Sequence, residues 1–110
     1  MKQAEIWYAD LNPVKGTEQA GYRPVVIISG NLLNKYLKIV IACPLTSKVK
    51  NYKGNIVLEP NKQNGLVKTS EVLVFHVRSI SQDRLVKKIG NISGKQLKQL
   101  KVGLDEILKY

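Results

Sequence analysis

A mainly β fold is predicted by this sequence, a small and strongly curved antiparallel sheet or barrel with one amphipathic helix packed across it. Three observations carry that expectation. Short β-branched and aromatic runs, each closed by Gly, Pro or Asn, recur through the first 92 residues. One helical stripe, Leu97, Leu100, Leu104, Ile107 and Leu108, occupies the C-terminus. The 110 residues contain a single Cys, so one domain spanning 1–110 has to form its core without internal disulfides.

Taken in order, Glu5-Ile6-Trp7-Tyr8-Ala9-Asp10 is a first strand, closed by Leu11-Asn12-Pro13. A polar loop follows. Residues 24–29, Pro-Val-Val-Ile-Ile-Ser, are nearly all apolar and β-branched, the pattern of a central strand buried on both faces. Residues 31–36 have the composition of a turn or single helical turn, and residues 37–44 form a second buried strand that Pro44, lacking an N–H, is expected to end. Thr46 and Ser47 open a basic loop, Lys48-Val49-Lys50-Asn51-Tyr52-Lys53-Gly54. Residues 55–59 are a brief strand, 60–65 a turn and 70–77 a further β run; residues 85–92 supply an edge strand that Lys87 and Lys88 protect from sheet-to-sheet association. Ser93-Gly94-Lys95-Gln96 matches a capping box, with Lys98, Lys101 and Lys109 on the outer face of the helix that follows.

Charge narrows the partners. Eighteen Lys and Arg against eight Asp and Glu give a formal +10, which suits nucleic acid or an acidic protein segment. Fifteen of the eighteen are lysines, so only Arg23, Arg78 and Arg84 offer the planar fork that grips phosphate bidentately. No apolar stretch approaches a membrane span and the N-terminus lacks the apolar core of a signal peptide, so a soluble, reducing, cytoplasmic setting is expected. Cys43, among Ile39-Val40-Ile41-Ala42, is expected to be a packed thiol. Zinc spacings, a P-loop and a dinucleotide fingerprint are absent, and one His excludes a two-histidine metal cage, so no cofactor is expected.

The chemistry concentrates in Gly16-Thr17-Glu18-Gln19-Ala20-Gly21-Tyr22-Arg23-Pro24. A carboxylate, an amide and a guanidinium lie within six positions, and Pro24 biases Arg23 toward an extended conformation at the mouth of a strand. Arg23 enters the second strand and Thr46-Ser47 leave the third; if those strands are neighbours, the ends meet beneath the Glu18 loop as a phosphate pocket. There Arg supplies charge, the hydroxyls supply hydrogen bonds and Glu18 supplies a general base, which is what metal-free phosphodiester cleavage requires. The same residues also fit a solvated loop and an ordinary strand-ending pair. His76 is open between proton shuttle and structural residue, and Arg78 between phosphate contact and strand cap.

Residues 6–13 and the segment Lys15-Gly16-Thr17-Glu18-Gln19-Ala20-Gly21-Tyr22-Arg23-Pro24-Val25-Val26-Ile27 closely resemble the opening of the MazF/PemK family of toxin endoribonucleases. The likeness extends through Pro44-Leu45-Thr46-Ser47, Gly65-Leu66 with Ser70, and Val77-Arg78-Ser79-Ile80, nearly the whole chain. The resemblance implies an SH3-like barrel, a homodimer, metal-independent cleavage of single-stranded RNA and an antitoxin whose acidic, disordered segment blocks the RNA groove. Carried over by position, Arg23 would stabilise the pentavalent phosphate, Thr46 would hold a non-bridging oxygen and Glu18 would act as base or orient the arginine. Gln19, Tyr22, Ser47, Lys48, Lys50, Tyr52, Lys53 and Arg78 are the candidate RNA contacts.

One departure stands out. Many members carry an acidic residue and a glutamine just before the Val-Arg step, where this chain has Phe75 and His76. Phe75 is thereby open between a core position and a base-stacking one. The alternative function is a non-catalytic nucleic-acid- or protein-binding module, a gyrase-poison-like or degenerate toxin on the same fold.

Overall fold

The computed structural model describes residues 1–11 and 21–109. Seven strands and two helices run in the order β1 (Glu5–Asp10), β2 (Tyr22–Ile27), α1 (Asn31–Tyr36), β3 (Ile39–Thr46), β4 (Ile56–Leu58), β5 (Ser70–Val72), β6 (Arg78–Ser81), β7 (Leu85–Asn91) and α2 (Gly94–Lys109), with short 3-10 turns at Val74–His76 and Gln82–Arg84. The strands form one antiparallel, curled sheet in the order β4-β5-β3-β2-β1-β7, with β6 also paired to β3.

Alternation along the central strands gives both faces something to bury. Val26, Cys43 and Leu45 join Ile6, Leu58, Val72, Val74 and Leu100 of α2 in one cluster. Val25, Ile27, Val40 and Ala42 point the other way, toward Leu11, Ile80 and Leu85. This two-sided burial is what the unbroken apolar composition of residues 24–29 predicts. Cys43 lies wholly inside, and burial pushes its thiol up to about 12, so it is the packed, inert cysteine expected.

Strand boundaries differ from expectation: β2 is Tyr22–Ile27 rather than 24–29, β3 begins at Ile39 rather than 37, and two further differences have a local cause. Pro44 does not end β3, which continues to Thr46. Residues 39–42 of β3 pair with β6 and residues 45–46 pair with β5, so Pro44 falls at the change of partner; its carbonyl accepts the Leu73 N–H at 2.9 Å, and the Leu73 carbonyl, which a proline nitrogen cannot serve, accepts the His76 N–H at 3.1 Å instead. The β run expected over 70–77 stops at Val72 and turns through Val74–His76, because the Asn55 side chain accepts the Val74 N–H at 3.1 Å and diverts the backbone from the ladder. Strand β6, not anticipated, takes up the free side of β3.

The capping box of α2 forms in both directions: Ser93 Oγ accepts the Gln96 N–H at 3.1 Å and Gln96 Oε1 accepts the Ser93 N–H at 2.9 Å. Its apolar stripe is shorter than expected. Leu97, Leu100 and Leu104 pack inward, whereas Ile107 and Leu108 are 36% and 84% exposed at the last turn of the helix. Buried Gly103 lets α2 rest directly on the basic loop; a Cβ there would come within 2.1 Å of the Gly54 carbonyl oxygen.

Candidate active site

The register of β2 with β3 sets Val25 opposite Pro44, and continuing it by two residues brings Arg23 across from Thr46. The side chain confirms the approach, for Arg23 Nη1 donates to the Leu45 carbonyl at 3.2 Å. Arg23 is half-buried, and its Nε, out of reach of water, has no hydrogen-bond partner among the described residues. Burial pulls the guanidinium below its ordinary value. Arginine is basic enough to remain a cation near neutrality, so the cleft is lined by a half-buried positive charge.

Around it opens a cleft of about 670 Å³ lined by Tyr8, Tyr22, Arg23 and Pro24 on one side, by Leu45, Thr46, Ser47 and Lys48 at the end of β3, and by Leu66, Val67, Lys68 and Ser70 on the far wall. Thr46 Oγ1 accepts the Lys48 N–H at 3.1 Å, which leaves its own hydroxyl proton free to donate into the cleft. The far wall is shaped by the buried Asn64, which accepts the N–H groups of Asn61 and Leu66 and donates to the Glu59 carbonyl at 2.8 Å. The Arg23 guanidinium, the Thr46 and Ser47 hydroxyls and two lysines, Lys48 and Lys68, thus line one concavity, a set of groups that suits an anion.

Of the residues singled out in the sequence, Arg23, Thr46, Ser47, Lys48 and Tyr22 meet in this cleft. Glu18 and Gln19 lie outside the described residues. Lys50, Tyr52 and Lys53 are exposed on the loop beyond, and Arg78 is exposed on β6 opposite Ala42; none of the four lines the cleft. Phe75 is no core residue: 48% exposed, it meets Tyr52 edge-on at 5.7 Å and lies 4.8 Å from the His76 ring. Arg84 is engaged elsewhere, donating to the Asp10 carbonyl at 3.3 Å.

Three residues escaped the sequence reading. Tyr8 is the cross-strand partner of Pro24, so pairing the first two strands would have placed it beside Arg23. Lys68 has no local signature and reaches the cleft only through the fold of the preceding turn. Glu71 is buried outside the cleft and accepts hydrogen bonds from Lys50 N, Asn51 N, Tyr52 N and Asn55 Nδ2. Burial alone would raise its carboxyl, but those four donors outweigh it and hold the group below the ordinary carboxylate value.

A basic β fold with a guanidinium and two hydroxyls lining one cleft between strand ends has the groups that suit a phosphate backbone. The PemK-like, MazF-like toxins of type II toxin–antitoxin systems match residues 2–108, and the chain belongs to that family. It is 35% identical over 107 residues to an endoribonuclease MazF of Staphylococcus saprophyticus, covering 96% of this chain and 88% of that protein. Among solved structures, a MazF crystal structure from Deinococcus radiodurans superposes with a TM-score of 0.83 at 25% identity, covering 100% of this chain and 97% of the other. A mycobacterial endoribonuclease in complex with its cognate antitoxin superposes with a TM-score of 0.82 at 19% identity, covering 98% and 94%.

Proposed function

We propose that this chain is the toxin of a toxin–antitoxin pair, a single-domain endoribonuclease that cleaves single-stranded RNA without a metal. The ribose 2′-hydroxyl attacks its own phosphorus, the P–O5′ bond breaks, and the products are a 2′,3′-cyclic phosphate and a 5′-hydroxyl. The observation that carries this reading is the half-buried Arg23 guanidinium lining the cleft beside Thr46. An enclosed fork of donors gains most when a phosphate passes to a dianionic, pentavalent state, because the surroundings screen it less than water would.

In this account Arg23 stabilises the equatorial oxygens and supplies a proton to the departing O5′, Thr46 holds a non-bridging oxygen, and Glu18 takes the proton of the 2′-hydroxyl or orients Arg23. Gln19, Tyr22, Ser47 and Lys48 hold the nucleotides flanking the cut, and Lys50, Tyr52, Lys53 and Arg78 follow the strand beyond it. The +10 charge suits both the RNA and an antitoxin whose acidic, disordered segment competes for the same surface. No helix among the described residues is long and apolar enough to cross a membrane, and the cytoplasm, where RNA and antitoxin are made, is the proposed location.

Because the nucleophile is the substrate's own 2′-hydroxyl, the protein cuts an RNA and spares DNA of the same sequence. An RNA with a 2′-deoxy substitution at the mapped cut site binds and survives. Equal cleavage of the DNA or of the deoxy-substituted RNA would overturn the proposal and favour a water-attacking nuclease.

A further inference from the structure

Glu71 is the only charged side chain among the described residues that is buried, with 0% exposure, and the chemistry proposed above makes no use of it. Strand β5 sets it across from Thr46 on one side and Val57 on the other, so it lies beside the cleft, on the strand whose Ser70 lines it, without lining it itself. The loop of residues 47–55 folds back over it. Oε1 accepts the N–H groups of Lys50 and Asn51 at 2.7 and 2.8 Å; Oε2 accepts those of Tyr52 and Asn55 Nδ2 at 2.9 and 2.7 Å. Three successive amides closing on one anion, with Asn51 in the left-handed region at φ 54°, make the concavity that elsewhere binds free anions. Here the protein fills it with its own carboxylate.

The loop is secured on its other sides as well. Thr46 Oγ1 holds the Lys48 N–H, Asn55 Oδ1 holds the Val74 N–H at 3.1 Å, and Gly103 of α2 lies against Gly54. Its side chains are nevertheless turned to water: Lys48, Lys50 and Lys53 are exposed, and Tyr52 is half exposed against Phe75. A basic loop without such an anchor would have to be ordered each time a strand bound, and that ordering would be subtracted from affinity.

We infer that Glu71 is a positioning residue for substrate binding: its carboxylate presets the loop of residues 47–55, so that a single strand leaving the Arg23–Thr46 cleft meets Lys48, Lys50, Tyr52 and Lys53 already in place. The inference rests on the RNA-cleaving reading of the cleft and adds a determinant of affinity to it. Two variants separate charge from reach. Glu71→Gln keeps the length but turns an amide NH₂ toward N–H donors, and Glu71→Asp keeps the charge but retracts the oxygens by one methylene.

The test reads hydrogen exchange of residues 48–55, then single-turnover cleavage and salt-dependent binding of a short RNA. Both variants should exchange faster in residues 48–55 while α2 keeps its protection. RNA affinity should fall about tenfold, the half-saturating concentration rising with the maximal cleavage rate within about twofold of wild type. The salt slope should flatten by about 0.7 for each phosphate that the loop no longer neutralises. Glu71→Asp carries all three measurements should Glu71→Gln not fold. Unchanged exchange and affinity, or a loss confined to the maximal rate, would overturn the role of Glu71 alone. Wild-type protein that neither binds nor cuts RNA would instead overturn the reading of the cleft, and this inference with it.

Discussion

At Arg23 the protein keeps a cation where folding alone would not keep one. A half-buried guanidinium with one N–H that finds no partner among the described residues is a costly group to fold around, and the proposed contact with a phosphate is the role it would serve. Activity and stability should therefore respond in opposite senses. Arg23→Ala should lower the single-turnover cleavage rate roughly a hundred- to a thousandfold, about 2.7 to 4 kcal/mol of transition-state stabilisation, while thermal unfolding shifts little or upward. Arg23→Lys should stay badly impaired, because a point charge cannot span two phosphate oxygens as the fork does. Thr46→Ala should lose less, since a neutral hydroxyl contributes less than a cation. Wild-type rates in Arg23→Ala would move the active site elsewhere, with Glu18, His76 and Arg78 the next residues to vary.

Among the elements, α2 and the basic loop depend on different kinds of interaction. The helix begins at a reciprocal cap, so Ser93→Ala, which orphans the Gln96 N–H, should cost about 1 kcal/mol in urea unfolding and leave cleavage intact. The loop depends on ionised Glu71, whose carboxyl is held below its unfolded value near 4.3. A depressed carboxylate contributes its full stabilisation above the unfolded value and loses it as pH falls through the folded one, so stability should decline below about pH 4.3. Glu71→Gln should flatten that decline; an unaltered profile would assign the acid sensitivity to other carboxylates such as Glu5, which is likewise held low beside Lys88 and Trp7. How legible each element was follows from its length. Strand β1 and helix α1 stand where their residues predict, because six-residue runs with clear closing signals are decided locally. Strand β6 was not legible, since four residues with one buried side chain, Ile80, show no alternation and become a strand only because β3 needs a partner. Nor could the helical stripe reveal that Ile107 and Leu108 would stay exposed.

On the scale of the whole molecule, the site was half legible: Arg23 and Thr46 could be matched because neighbouring strands carry them, whereas Lys68 and Glu71 act across turns whose path is set by tertiary packing. Exposed apolar groups remain to be accounted for. Leu32, Tyr36 and Leu37 are 74%, 70% and 50% exposed around α1, and Leu108 is 84% exposed on α2, apolar surface that a second subunit would cover. Together with the family resemblance they support a homodimer, and sedimentation at micromolar concentration should give about twice the chain mass, each subunit burying ~800 Å². A strictly monomeric boundary would speak against this and confine RNA binding to one subunit. Whether a guanidinium, a hydroxyl and the substrate's own 2′-hydroxyl suffice for cleavage can be measured outright. Purified protein is incubated with a long RNA in excess EDTA, and the chemistry of any new ends is mapped. Cuts should fall at a small set of short sequences, each leaving a 2′,3′-cyclic phosphate and a 5′-hydroxyl, and Arg23→Ala protein should make none in the same time. Cleavage abolished by EDTA, 5′-phosphate ends, or an intact RNA would show that the cleft does not work in this way.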